Sequence, residues 1–598
     1  MRTRPLARTL AAAIAVAATL GAADVASADT GLPGREADPI ILKGADTPAL
    51  SGVEPGSVVA FAYDGGWRQI PVQVDERAVV DYPTVRQNNQ TGGRPFTHEA
   101  YTDAGTYAGA DPDPTLDDGD EIAMMAKDSG EDAADIASPA GVVDSTRTAV
   151  TVSDPLEPGA TRFIYLFETN AGLDPAAGKS YVDYDFSLNS GDYKTTYDFT
   201  HPDDSSTSGP PHNPENSTVT TSYYSERLLA RWIADQLRLK TGSTPDADIL
   251  DGDKAQVSRG CGRYEGTFSR GGGGFIANKS GPVRAIRSYI GANSGTYTQR
   301  DDIFYQRQQD TNTYLRVHAG IGQISQFMDY SANAIGMTYR NSAYPAGVTI
   351  DGVPDAGIPT PAGSDLQPQS DWEQVTGPQG SLSSVSRLDT TIPNFTVGSF
   401  YRDLGAGPFT NFSQCAGYDD GLVYGASGNE YKSSGPNTDP TLDAGYAYGH
   451  YDLTSSRSIY FDEPNAGASV PELRSAQVDS PLTVTAASQE EPDPPVLDLR
   501  AGGATKKVRR GGSVRIPITA SNEGGTAATG VEVCARVPKR VGDGTCKSAA
   551  KLRPGAKRVF RLKISASDTA RDFIRVAYRV TADNAKRDRL EAKIAVRR

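Results

Sequence analysis

At 598 residues, with 62 Gly, 39 Pro and 28 Tyr, the chain is too long for one hydrophobic core and carries the punctuation of many short strands. Its formal net charge is −15, yet residues 496–598 hold 25 Lys and Arg against 9 Asp and Glu, so a basic tail of about +16 follows a strongly acidic body. Four cysteines exclude a cysteine-rich zinc scaffold, five scattered histidines exclude a closely spaced zinc site, and the acidic body argues against nucleic acid as a partner.

The N-terminus has the three parts of a secretory leader in order. Arg2, Arg4 and Arg8 precede an apolar run from Leu10 to Ala23, and Ala26-Ser27-Ala28 offers a cleavage site. Residues 1–28 are expected to be removed, leaving an extracellular or cell-surface protein. No later run reaches the roughly 20 apolar residues that a membrane helix needs.

Two β-rich parts, 29–190 and 191–486, are expected to form the body, a large β-sandwich or supersandwich. It opens on a hairpin, with strands at 58–63 and from Trp67 onward joined by Asp64-Gly65-Gly66. One helix is expected at 225–239, where Leu228, Leu229, Trp232, Ile233 and Leu237 share a helical face. Residues 198–218, rich in Pro, Ser, Asp and His, predict a long surface loop. An acidic, proline-rich linker at 487–495 separates the body from the tail. Four alternating runs, at 514–518, 531–537, 559–564 and 574–580, predict a small immunoglobulin-like sandwich there. Cys534 and Cys546, close in sequence in an oxidising compartment, are expected to bond, leaving Cys261 with Cys415; four cysteines formally allow three pairings.

Asp111, Asp113, Asp117, Asp118 and Asp120 crowd one turn-rich stretch, and alternating carboxylates there suit Ca²⁺, the one cofactor the sequence suggests. A solvated acidic loop is the plainer reading. The spacing is not that of an EF-hand, and the stretch partly recurs at 439–445. The glycines at 271–274 fail as a phosphate loop because Asn278, not Gly, precedes Lys279. No convincing serine-hydrolase elbow is present.

The densest polar and aromatic segment runs from Arg284 to Arg340. Within it Arg287, Tyr305, Arg316, His318, Asp329 and Tyr330 combine anion-neutralising cations, proton-transfer groups and rings, and strand alternation puts Arg316 and His318 on one face. Such a face suits an acidic polysaccharide: Arg neutralises the substrate carboxylate while His or Tyr moves the proton. The competing reading is that these are ordinary ion pairs on a sheet face. Hydrolysis by two carboxylates also remains open.

Ser521-Asn522-Glu523-Gly524-Gly525 and Leu552-Arg553-Pro554-Gly555, each followed by a strand, resemble the bacterial cell-adhesion-related modules abbreviated CARDB. That resemblance implies a seven-stranded sandwich serving as spacer or binding appendage. The opening hairpin together with 120–128 resembles the start of uncharacterised secreted bacterial β-proteins, some near polysaccharide-processing families. The expected function is therefore a secreted carbohydrate-active protein, a lyase or glycoside hydrolase working on an acidic polysaccharide or cell-wall polymer. The alternative is a non-catalytic surface or matrix protein that binds glycan or partner proteins. If the 284–340 segment is catalytic, His318→Gln should cost turnover about 10²–10⁴-fold with an unchanged melting curve. A fully active, folded variant removes His318 from the site.

Overall fold

The computed structural model describes residues 31–598 except 82–96, 107, 191–192, 194–212, 244–246, 258–263, 271–273, 291–296, 318–322, 356–357, 359–369, 393, 406–421, 434–450, 490–491 and 503–505. The leader, Cys261, Cys415, His318 and the 439–445 repeat lie outside the described residues.

The chain is mainly β. Its N-terminal unit packs a three-stranded sheet, ordered Pro39–Lys43, Glu121–Met125, Gln73–Asp75, on a five-stranded one. The latter runs Thr483–Ser488, Val142–Ser153, Thr161–Thr169, Val58–Tyr63, Trp67–Ile70. Ile40, Val58, Ile122, Met124, Val150 and Ile164 lie between the two sheets, fully buried. The predicted hairpin is present, with Tyr63 opposite Trp67 and Gly65 at φ +76°, where a side chain would be strained.

A nine-stranded antiparallel sheet forms the centre. Its order is Gly274–Ser280, Ala285–Ile290, Tyr297–Phe304, Gln308–Val317, Tyr451–Asp462, Gly380–Thr390, Glu373–Gly377, Thr338–Asn341, Tyr344–Thr349. One face packs on a five-stranded sheet spanning Asp183–Asp185 to Ala247–Asp248 and on a four-stranded sheet that includes Leu250–Val257 and Gln323–Tyr330. The opposite face, near Ile286 and Ile303, packs on Tyr101, Ala123 and Met125 of the N-terminal unit. Alternation makes the point directly: Ala285 and Phe304 belong to the first core, and their neighbours Ile286 and Ile303 to the second. This part of the sheet is covered on both sides, and Ala285–Ile290 is buried at every position.

The expected helix at 225–239 is a β-hairpin. Tyr224–Ala230 and Ile233–Leu239 pair antiparallel around Arg231 and Trp232, with Glu226 opposite Leu237. Its burial has period two: Tyr224, Glu226, Leu228 and Ala230 point inward while Ser225, Arg227 and Leu229 are half-buried. Joining the apolar residues of two strands across their turn mimicked one helical face. Neighbouring strands on both sides supply the backbone bonds that settle the matter. A helix does occur at Ser469–Asp479, where none was expected. It fastens the start of the described chain, since Gln477 donates to the Gly34 carbonyl and Arg35 bonds Asp38, Asp154 and the Ser480 carbonyl.

Three boundaries shift. Asp183–Asp185 pairs with Ser217–Thr220, so a sheet crosses the expected division at 190. The expected surface loop ends in buried structure, with Asn213 and Glu215 at 0% exposure. Ala487 and Ser488 pair with Ala149 and Thr148, so the linker starts only after the strand ends at Ser488.

All four predicted tail strands are present, as parts of Ser513–Asn522, Ala528–Arg536, Lys557–Ala566 and Phe573–Ala582, the second ending one residue before the expected Val537. The tail has a four-stranded and a five-stranded sheet, nine strands in place of the seven expected, around Ile518, Val533, Leu562, Ile574 and Val580. Cys534 and Cys546 are cross-strand partners joined by a disulfide, with a Cα–Cα distance of 4.0 Å. Replacing both by Ala should destabilise the tail by roughly 2–3 kcal/mol, read as a lower denaturation midpoint for the tail transition. An unchanged midpoint would show that the bridge does not constrain the unfolded tail.

Candidate functional site

Four members of the predicted site, Arg287, Tyr305, Asp329 and Tyr330, are interior residues. Arg287 has 0% exposure and makes a two-pronged ion pair with Glu215, at 2.9 and 2.5 Å, plus a bond to the Ala230 carbonyl. Tyr305 is buried, its hydroxyl 3.4 Å from Arg284. Asp329 and Tyr330 are buried in a different sheet, and the Tyr330 hydroxyl meets that of Ser427 at 3.3 Å. Arg316 lies opposite Tyr297 and Asp452 in register, and His318 is outside the described residues. Arg287, Tyr305, Asp329 and Tyr330 therefore do not line an open cleft.

They sit in polar networks that the sequence reading did not foresee. Arg284 bridges the central sheet to the N-terminal unit, bonding Asp75 at 2.8 Å and Glu121 at 2.8 Å. Burial raises the Glu121 carboxyl, but the Arg284 and Arg77 guanidiniums outweigh it and hold the group at about 2. Gln73 completes the joint: its Oε1 accepts from the Val283 and Arg284 N–H groups, and its Nε2 donates to Asp75. Gly281 is required there, because a Cβ would lie 2.2 Å from the Gln73 Oε1.

On the other face of the sheet Asp253 binds Arg300 and Arg457, and Asp302 binds Arg300, the Tyr289 hydroxyl and Thr311. Glu226 adds a third carboxyl beside two guanidiniums. Burial, then Asp253 and Asp302, push it up to about 8 against the pull of Arg457 and Arg300. Protonated, it leaves the cluster neutral. The sequence held one signal of this: Glu226 sits between Tyr224 and Leu228 on the inward face of a strand, where a lone charge needs partners.

One opening involves the acidic stretch. A cleft of about 480 Å³ is lined by Arg77, Val79, Glu99, Asp111, Asp113 and Asp117 among others. The aspartates largely cap their own loop: Asp111 accepts from Asp113 N–H, Asp113 from Thr115, Asp117 from Gly119 N–H, and Asp120 from the Asp117 and Arg77 N–H groups. Among the described residues, no three of Asp111, Asp113, Asp117, Asp118 and Asp120 converge closely enough to share one ion. Behind the loop, burial together with Asp120, Asp111 and Asp117 pushes the Glu76 carboxyl up to about 7, with Lys279 opposing. Its Oε1 is buried without a hydrogen-bond partner. Neither Glu76 nor Glu99 stood out in the sequence, because no spacing links them to residues 111–120.

No family model matches the chain, and no curated protein matches it. Among solved structures, a glycosyl hydrolase family 38 protein from Enterococcus faecalis is similar over 89% of this chain and 57% of its own, at 10% identity and TM-score 0.35. An alpha-mannosidase from Enterococcus faecalis V583 is similar over 89% and 55%, at 10% identity and TM-score 0.34. A putative aldose 1-epimerase from Escherichia coli K12 is similar over 40% of this chain and 97% of its own, at 12% identity and TM-score 0.22. The chain thus spans little more than half the length of the first two.

The Glu226 cluster yields a pH prediction. A carboxyl that binds its proton more tightly folded than unfolded makes stability fall as pH rises from the ordinary value near 4.5 through about 8. Glu226→Gln should raise the melting temperature at pH 8–9 and change it little at pH 4. An equal change at both pH values would show that Glu226 does not titrate in this way.

Proposed function

We propose that the chain is an exported carbohydrate-active protein whose body cleft supports acid–base chemistry of the glycoside-hydrolase type. The observation that carries this reading is one cleft rimmed by Glu99, Asp111, Asp113, Asp117 and Asp118, with the Glu76 carboxyl behind its lining pushed up to about 7 by burial and by Asp120, Asp111 and Asp117. In this scheme Glu76 gives its proton to the departing glycosidic oxygen. Asp111 or Asp117 takes a proton from the attacking water, so the old C–O bond breaks as the new one forms. The carboxylate rim repels an acidic chain, which favours a neutral or amino-sugar glycan here and removes the acidic substrate from this cleft.

Export rests on the expected leader and agrees with the Cys534–Cys546 disulfide. Among the described residues no helix is long and apolar enough to cross a membrane. The second reading, a non-catalytic glycan-binding protein, is favoured by the buried pairing of Arg287 with Glu215, which makes that part of the predicted site structural.

A panel of neutral, amino-sugar and uronic polysaccharides, read for new reducing ends and for new unsaturated ends, separates these readings. Hydrolysis should appear as reducing ends alone, fall as pH rises through about 7, and drop about 10²–10⁴-fold in Glu76→Gln. Unsaturated ends would return attention to Arg316 and His318. No product on any glycan, or a fully active Glu76→Gln, overturns the hydrolase reading.

A further inference from the structure

The outer face of the tail's five-stranded sheet has a charge pattern that stability alone would not select. Phe573–Ala582 lies between Ala585–Arg597 and Ala528–Arg536. In register, Arg575 faces Lys593, and Arg579 faces Arg589. Like charges directly opposite one another on a sheet are destabilising, and a structural face places opposite charges there. The four side chains are exposed, while the alternate residues Ile574, Val576, Tyr578 and Val580 fill the core. Arg536 joins them, opposite Ala577. Two carboxylates lie on this face: Glu591, which pairs with Arg589 at 2.5 Å, and Glu532, opposite Thr581 beside the Cys534–Arg579 pair. Among the described residues, Arg536, Arg575, Arg579 and Lys593 have no ion-pair partner.

These cations rim a groove. The short side chain of Ala577 leaves a trough of about 580 Å³, walled by Arg536, Arg575, Arg589 and Lys593. Arg579 continues the row beyond the trough, four residues from Arg575 on the same strand, about 14 Å at the usual rise. The face therefore offers cations along a line longer than one small anion. The aliphatic floor of the trough suits the C–H faces of sugar rings. The one large exposed ring at this edge, Phe573, is already covered by Lys593 at 5.3 Å, so the interleaved stacking rings that single-stranded nucleic acid uses are missing from the described groove.

We propose that this groove binds a linear polysaccharide carrying oxyanions, carboxylate or sulfate, and so holds the body near an acidic glycan that its own cleft does not process. The site is separate from the body cleft, and neither inference depends on the other.

The test uses the full chain, with polygalacturonate and heparin as carboxylated and sulfated probes, neutral dextran as control and duplex DNA as competitor. Binding should be tight at low salt for one or both acidic glycans, weaken steeply with salt and be absent for dextran. Arg575→Glu with Lys593→Glu should lower affinity at least 10-fold and flatten the salt dependence. The milder pair Arg575→Gln and Lys593→Gln should lower it less, with melting curves confirming folded protein. Arg561→Glu with Lys563→Glu makes the same charge change on the opposite sheet, where Arg515 also faces Lys563 but neither Arg561 nor Lys563 lines the groove, and should cost little. Equal losses from both reversals would reduce the effect to net charge and overturn the site. So would dextran binding, no binding to either acidic probe, or DNA binding as tight as the better glycan. Glu76→Gln should bind as the parent does, so loss of hydrolysis and loss of binding are read independently.

Discussion

Desolvation of charge on a sheet covered from both sides governs this protein. The strand Ala285–Ile290 has no solvent-facing side, so each of its polar groups must find its counter-charge within the fold. Arg287 does so through Glu215 on one face, and Arg284, just before the strand, through Asp75 and Glu121 on the other. Removing one member of such a pair strands a buried charge, a loss of about 3–5 kcal/mol. These pairs join three layers that also meet through apolar clusters, a large one on the Arg287 side and a smaller one on the Arg284 side. They also explain why the segment richest in Arg, Tyr and Asp is structural where it can be seen.

How far the sequence foretells this depends on whether a strand has a wet side. In the tail, Lys557–Ala566 and Phe573–Ala582 alternate charged and apolar residues because one face meets water, and period-two reading found them. The hairpin at Val58–Tyr63 was legible through Asp64-Gly65-Gly66, whose chemistry fits one kind of turn. The hairpin at Tyr224–Leu239 was not, since Leu228 and Leu237 satisfy a helical period as readily as two facing strands. Only the neighbouring strands break the tie.

The candidate site was less legible for a related reason. Arg287 and Tyr305 have the chemistry of a site, and chemistry alone cannot tell a residue that awaits a substrate from one already satisfied by Glu215 or Arg284. The acidic stretch was visible, but its partners are Glu76, between the strands Gln73–Asp75 and Arg77–Asp81, and Glu99, in the strand Thr97–Tyr101, set beside it by the fold. The basic groove lies between. Its net charge was plain in the sequence, while the opposition of Arg575 to Lys593 exists only once the strand register is fixed.

The edge strand Thr483–Ser488 carries a consequence for biogenesis. It completes a sheet whose other members all precede Asn170, lying beside Val142–Ser153. A chain synthesised from its N-terminus delivers that strand long after its partners, once the whole central sandwich has emerged. Until then the first unit presents an open β-edge, a template for pairing with other chains. Such a unit gains from holding that edge unpaired until the strand arrives and from closing the sheet in one late step.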